Sequence, residues 1–360
     1  MKVLHIYFGP YSEGNGIFTV LNTQLSWIKK YQENVSVTLM LGKNEKHIST
    51  VYQIVNCPGK GLKSFLVEGK FDLAIIHGFF FWEYGKISRS LTSLKIPYLI
   101  KPHSSLTIES WTKSYFKKRI AFYFLGLRKL VKKSDGIIFI NQEEEANSYT
   151  FDKKAYIERN GIELSSKYNI NFKHENSIRI SFFSRIDFNH KGIDILLKAL
   201  EKIKEESIVF NFWGTGEPKE IDKLKQNIQK VDFINVFYKG ARFGKERDEI
   251  FKNTDIFILT SRYEGFPTVL TEALSWGIPA IVTPGTNACF FEDGGIGWKC
   301  ELDPMDIAKT IRSSVKKFSV NYQSIRQKCC DFATENFAIE ETIKDTFAIY
   351  DSIIENKTLK

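Results

Sequence analysis

Glu264 and Glu272, eight residues apart in EGFPTVLTE, stand one before a Gly-Phe-Pro turn and one inside an apolar stretch. Upstream, SRIDFNHKG sets Arg185 and Lys191 six residues apart where a strand gives way to a helix. A carboxylate is acceptor-only and takes two hydroxyl hydrogen bonds, as a sugar diol or a ribose requires. A planar arginine fork beside a mobile lysine charge suits a diphosphate. Each pair also has a plainer reading. Glu264 caps a helix and Glu272 pairs with a surface lysine, or Arg185 and Lys191 are solvated loop charges.

The helix after the turn opens on Pro267, whose missing N–H is not needed in a first turn, and stops at Gly277 and Pro279. Glu272 then lies two turns along and roughly 80° around the axis from Glu264, so the two can flank one ligand. The loop RYEGF follows the strand DIFILTS, at the carboxyl end where open α/β sheets bind ligands, and the helix N-terminus offers N–H groups to an anion. In the first half, EGNG is a glycine turn opening a helix at Gly16, but it is not G-x-G-x-x-G. His103 closes the strand PYLIKPH, where an isolated histidine is commonly packed or solvated; His77, similarly placed, reads as structural. There is no D-x-D, no ligand cluster at metal spacing and no G-x-S-x-G. The five cysteines include no C-x-x-C and read as incidental thiols.

The elements that must position these residues follow a strand, loop, helix rhythm. VLHIYF, VSVTLML, FDLAIIHG, IPYLIKPH and DGIIFIN read as buried strands with helical stretches between several of them, which argues a parallel sheet flanked by helices. The pattern lapses in ELSSKYNINFKHENS, read as a linker, and restarts from IRISFFSRI to PAIVTP. The expected class is α/β with two tandem doubly wound Rossmann-like domains, 1–165 and 166–337. A last amphipathic helix, 338–360, carries Ala338, Ile343, Phe347, Tyr350 and Ile354 at helical spacing.

A net charge of +9 over 360 residues suggests anionic partners: nucleic acid, phosphorylated substrates or an acidic membrane surface. No apolar run approaches the ~18 residues of a spanning helix, and the opening apolar run is too short for a signal peptide. A cytoplasmic protein is expected, or one on the inner face of a membrane. KSYFKKRIAFYFLGLRKLVKK, from Lys113 to Lys133, carries eight basic residues and no acidic one, interleaved with Tyr115, Phe116, Phe122, Tyr123 and Phe124. Phe116, Ile120, Tyr123, Leu127 and Leu130 share one apolar side at helical spacing. That side is expected in the core, with Lys117, Lys118 and their neighbours facing water or anionic headgroups.

With these residues in place the chain resembles the retaining GT-B glycosyltransferases of family 4. The resemblance rests on SRYEGFPTVLTEALSWGIPAIVT, Arg185 and Lys191, GTGEP, ERNGIEL and the C-terminal FAIEETIKDTFAIYDSII. It implies a donor site in the cleft between the two domains. Arg185 and Lys191 would hold and stabilise the departing nucleotide diphosphate, Glu264 the donor-sugar hydroxyls and Glu272 the ribose. Gly265, Phe266 and Thr268 would offer amides, which Pro267 lacks. The turn Gly240–Phe243, with Gly240 and Arg242, would meet the base, His103 would lie against the sugar, and Gly16 near the phosphates. Asn15-Gly16 stands where the family commonly has paired glycines, and KPHSS also departs from the commoner form. The implied partners are a UDP or GDP sugar and a glycan or lipid-linked oligosaccharide acceptor; the basic stretch adds an anionic membrane surface, and no nucleic acid is expected. No cofactor and no metal are implied.

A nucleotide-sugar epimerase of the same fold would need further acid/base carboxylates in the first domain, where carboxylates are few and poorly placed. A non-catalytic nucleotide-sugar or nucleic-acid module is disfavoured by the intact set Arg185, Lys191, Glu264 and Glu272, and a dehydrogenase by the missing fingerprint.

Overall fold

The computed structural model describes the chain apart from residues 12–15, 43–46, 48, 113–114, 165–176, 205–206, 232–234, 289–290, 292–294 and 359–360. Most of the expected linker therefore lies outside the described residues, as do Asn15, Lys113, Cys289 and the side chain of Tyr115. The described chain divides into two compact units, Met1–Glu163 with Ile339–Lys360, and Leu164–Ala338.

In the first unit the described residues form a seven-stranded sheet. Its strands are β1 (Lys2–Tyr7), β2 (Ser36–Leu41), β3 (Gln53–Asn56), β4 (Leu73–His77), β5 (Tyr98–Lys101), β6 (Gly136–Phe139) and β7 (Ala155–Ile157). Their order is β3-β2-β1-β4-β5-β6-β7, every pair parallel. Side chains alternate across the sheet, so each strand feeds two cores. Leu4, Ile6, Ala74, Ile76, Tyr98 and Ile100 face one. Val3, Tyr7, Leu73, Ile75 and Leu99 face the other, under the helices Gly16–Tyr31 and Ile339–Thr358. Both sides being covered explains why these strands read as unbroken apolar runs.

The second unit repeats the plan with β8 (Ile178–Phe183), β9 (Ile208–Trp213), β10 (Asn235–Gly240), β11 (Ile256–Leu259), β12 (Ala280–Val282) and β13 (Gly297–Lys299). The order is β10-β9-β8-β11-β12-β13, again all parallel. Both sheets reverse direction beside their first strand, between β1 and β4 and between β8 and β11. That reversal opens the crevice in which doubly wound sheets bind ligands. The helix Pro304–Phe337 packs against the helices Ile193–Leu200 and Thr268–Ser275. Asp303 caps it by accepting from the Met305 and Asp306 amides, and non-helical Asn321 kinks it.

The basic stretch departs from expectation. It is two helices, Tyr115–Phe124 and Leu127–Lys133, broken at Leu125-Gly126. Gly126 has φ of +78°, and Gly85 packs so closely that a Cβ there would lie 2.1 Å from the Leu125 carbonyl oxygen. Leu127 and Leu130 are buried, but Phe116, Ile120 and Tyr123 are exposed and not in the core. Phe122 is the inward anchor.

Candidate functional site

The switch point of the second sheet gathers much of what the sequence singled out. Arg185 and Lys191 lie in the loop after β8, and Glu264 in the loop after its neighbour β11. The two loops are locked together. Gly192 has φ of +64°, and a Cβ on it would stand 2.1 Å from the Thr260 carbonyl oxygen, so only glycine allows the approach. The Thr260 hydroxyl donates to the Lys191 carbonyl at 3.0 Å, and the Arg262 amide to that of His190 at 2.9 Å. The Arg262 guanidinium clamps the same loop through the Asn189 carbonyl (2.6 Å) and both Asp194 oxygens (2.7 and 2.9 Å).

Lys191 and Glu264, expected on different parts of a ligand, meet each other. Lys191 Nζ donates to Glu264 Oε1, with side chains only 9% and 11% exposed. The Ser261 hydroxyl donates to the same oxygen at 2.6 Å, and Asn287 Nδ2 to the Glu264 carbonyl at 2.6 Å. Arg185 points outward, its side chain 61% exposed, within 3.2 Å of Asp187. His190 steers it. Its Nε2 is 2.8 Å from the Tyr263 carbonyl, so that nitrogen carries the proton and Nδ1 accepts from Arg185 Nη2 at 3.1 Å. Burial and the Lys191 charge hold the imidazole below its ordinary range, in keeping with this neutral form. The ring stacks on Tyr263 at 4.1 Å. His190 and Arg262 escaped the sequence reading; the signal was their place in or beside the loop that carries both expected cations.

Glu272 is not paired with a surface lysine. Its carboxylate takes Arg247 Nη2 at 2.5 Å, and that guanidinium lies 4.9 Å over the Phe183 ring at the end of β8. Burial holds the Glu272 carboxyl above its ordinary range, and Arg247 opposes that rise only in part. Arg247 Nε is buried with no hydrogen-bond partner among the described residues, as is Trp213 Nε1 at the end of β9. Arg242 lies over Trp213 at 5.6 Å and donates to the Ala241 carbonyl at 3.0 Å. Gly240, with φ of +75°, would meet nothing within 4 Å if given a Cβ. The helix Thr268–Ser275 starts at Pro267 with no side-chain cap. Gly265 and Phe266 precede it half-buried, with the Phe266 ring 5.8 Å from Phe337.

Gly16 and His103 belong to the first unit. Gly16 is exposed at the start of its helix, and a Cβ there would also meet nothing within 4 Å. His103 and Ser104 take positive φ, 48° and 65°, beyond the end of β5. Such backbone costs energy unless its surroundings enforce it. Glu144 does so, accepting from the Ser104 amide at 2.6 Å and the Ile140 amide at 2.7 Å. His103 is not isolated, because its Nε2 lies 2.9 Å from His77 Nδ1.

Residues 177–317 match the model of the family glycosyl transferases group 1. That match lies within the second unit. Individual proteins are also similar to the chain. The chain is 26% identical over 337 residues to an uncharacterized 41.2 kDa protein in the cps region of Klebsiella pneumoniae, covering 86% of this chain and 85% of that one. It is 24% identical over 194 residues to the protein CapJ of Staphylococcus aureus, covering 52% of this chain and 49% of CapJ. Among solved structures, sucrose-phosphate synthase of Thermosynechococcus elongatus superposes with a TM-score of 0.80 at 14% identity, over 99% of each chain. HepE of Anabaena, in complex with UDP and glucose, gives 0.74 at 16% identity, over 98% of this chain and 100% of its own. These structural likenesses show the fold, which is α/β with two parallel-sheet Rossmann-like domains of the GT-B type. Among the described residues no helix is long and apolar enough to cross a membrane.

Proposed function

We propose that the chain is a retaining, family 4 glycosyltransferase that moves a hexose from a nucleoside-diphosphate sugar to a hydroxyl of a glycan or lipid-linked oligosaccharide. The observation that carries this reading is the Lys191–Glu264 pair at the β8/β11 switch point, beside exposed Arg185 and an uncapped helix N-terminus. A diphosphate arriving there draws Lys191 from Glu264 and so releases the carboxylate for sugar hydroxyls. Phosphate binding and sugar positioning become one event. Arg247 holds Glu272 for the ribose, and the unpartnered Trp213 Nε1 and Arg247 Nε are buried donors of a kind that native proteins seldom leave unmade.

Breaking a glycosyl phosphate puts negative charge on the departing oxygen, and fixed cations there act where charge develops. In the step, the bond from the anomeric carbon to the phosphate oxygen breaks. The acceptor oxygen bonds to that carbon on the same face, and its proton passes to the departing phosphate. Arg185, Lys191 and the helix N-terminus supply the charge, so the reaction proceeds without a divalent ion. UDP is the first nucleotide to test, since HepE is seen with it. The cps-region relative and CapJ support a place in surface polysaccharide synthesis.

The outward helix Tyr115–Phe124 supports an acceptor held at an anionic membrane. Phe116 and Phe124 are 79% and 82% exposed, and Ile120 and Tyr123 lie bare among exposed Lys117, Arg119, Arg128 and Lys129. The apolar side meets the lipid rather than the core, with basic residues around it, each worth about 1 kcal/mol near an anionic surface.

The test is nucleotide release by purified protein from a panel of UDP and GDP sugars, with and without oligosaccharide acceptors, in EDTA, with the product linkage assigned by NMR. Release that depends on acceptor, survives chelation and keeps the anomeric configuration is expected. Inversion, complete loss in EDTA, or release indifferent to acceptor overturns the reading.

A further inference from the structure

Three histidines and a tyrosine cross a buried face of the first sheet in one hydrogen-bonded file. His103 Nε2 lies 2.9 Å from His77 Nδ1, His77 Nε2 lies 2.9 Å from His5 Nδ1, and His5 Nε2 lies 3.2 Å from the Tyr350 hydroxyl. Strand register builds the file. His5 shares a face of β1 with Tyr7, Tyr7 stands opposite His77 on β4, and His77 stands opposite Lys101, two residues before His103. The rings stack at 5.1 and 5.2 Å, and the helix Ile339–Thr358 brings Tyr350 down on the end of the file.

The imidazoles are neutral. Burial and the Lys101 charge press all three below the ordinary histidine range, His5 and His103 to about 3. Lys101 is held alongside by Glu158 at 2.5 Å, and Glu158 takes further bonds from Gln24 and Thr346 at 2.7 Å each. Glu144, behind Ser104, accepts from the Ser104 amide at the loop end. A neutral imidazole carries its one proton on one nitrogen, so the file has two ordered arrangements. In the first, Tyr350 donates to His5 Nε2, His5 Nδ1 to His77 Nε2, and His77 Nδ1 to His103 Nε2, which leaves the His103 proton on Nδ1. In the second every donation reverses, His103 Nδ1 is bare, and the Tyr350 O–H must find another acceptor.

The described residues offer none. Tyr350 is 1% exposed, and among the described residues its hydroxyl bonds only to His5. A buried donor left unmade is costly, whereas the first arrangement leaves no buried proton of the file unbonded. We propose that Tyr350, through His5 and His77, holds His103 as the Nδ1–H tautomer, so that His103 presents a hydrogen-bond donor to a ligand oxygen at the carboxyl end of the first sheet. Tyr350, His5 and His77 are positioning residues. They move no proton, because burial lifts the Tyr350 phenol well above its ordinary value and the file has no group ready to release one. The tautomer follows from the file alone; its use in turnover rests on the glycosyltransferase reading.

The full chain, labelled with ¹⁵N in its six histidines, distinguishes the arrangements through two-bond ¹H–¹⁵N correlations, with His103 assigned by His103→Asn. The wild type is expected to show His103 protonated at Nδ1. In Tyr350→Phe both arrangements leave one His5 nitrogen without a partner, so the two His103 tautomers are expected in roughly equal amounts. With an active donor the same variant should lower kcat roughly fivefold while UDP affinity stays within about twofold. His103 protonated at Nε2 in the wild type overturns the proposal, a result that needs no variant to fold. So does an unchanged Nδ1–H in Tyr350→Phe. If no sugar donor turns over, the glycosyltransferase reading fails while the wild-type spectrum still decides the tautomer.

Discussion

Replacing Lys101 with methionine tests how the polar layer beneath the two outer helices is held. Lys101 and Glu158 are each 1% exposed and 2.5 Å apart. The methionine keeps the length of the stem and removes only the charge, leaving Glu158 with the Gln24 amide and the Thr346 hydroxyl. Removing one partner of a buried pair costs about 3–5 kcal/mol. The variant has an escape, which is to take up a proton on the carboxylate. By the reference value for a free glutamate, that costs about 3.7 kcal/mol at pH 7 and about 1 kcal/mol at pH 5. The deficit is therefore capped near 3.7 kcal/mol at neutral pH and shrinks on acidification. The sign is consistent: a folded state that gains a proton the unfolded state lacks loses stability as pH rises. A two-unit chain does not give one unfolding free energy, so the assay is native-state hydrogen exchange of the peptides covering β4 and β5. At pH 7 their slowest amides should exchange at least about a hundredfold faster than in the wild type. Adding Glu158→Leu should recover most of the loss. A deficit under about 1 kcal/mol at pH 7, or one that does not narrow at pH 5, refutes the reasoning.

Glu272→Ala should weaken calorimetric UDP binding while Glu264→Ala leaves it nearly intact and lowers kcat; equal UDP affinity in both variants removes the assignment. Gly192→Ala, strained at φ of +64° and 2.1 Å from the Thr260 oxygen, should displace Lys191 and abolish UDP binding with the second unit still folded, checked by calorimetry beside circular dichroism. Because His5 and His103 sit near 3 when folded against an ordinary 6.5, the unfolded chain binds more protons between those values. Stability is then full above pH 6.5 and declines as pH falls toward 3, and hydrogen-exchange free energies that stay flat from pH 7.5 to 5 contradict it. Phe116→Ser with Phe124→Ser should release the protein from phosphatidylglycerol vesicles at low salt without changing UDP affinity. Unchanged sedimentation refutes the membrane-facing helix.

The two parallel sheets were readable from residue pattern alone, since strands covered on both faces must be apolar throughout, as LAIIH and IFIL are. That pattern also placed Arg185, Lys191 and Glu264 at carboxyl strand ends, because loop position follows directly from strand position. The edge strands β3, β7 and β13 were not legible: three or four residues long and half exposed, they carry too few apolar residues to show a period. Nor was the helix Pro304–Phe337, whose apolar positions are sparse and whose axis breaks at Asn321. Which groups meet was settled by long-range packing. Lys191 reaches Glu264 across 73 residues, and Tyr350 reaches His5 across 345. Such contacts are set by the register of neighbouring strands and by where the last helix settles, and no local pattern of residue types encodes either. A histidine at a strand end looks the same in sequence whether it is solvated or joined to two more. Packing it beside β4 and β1 is what fixes its proton.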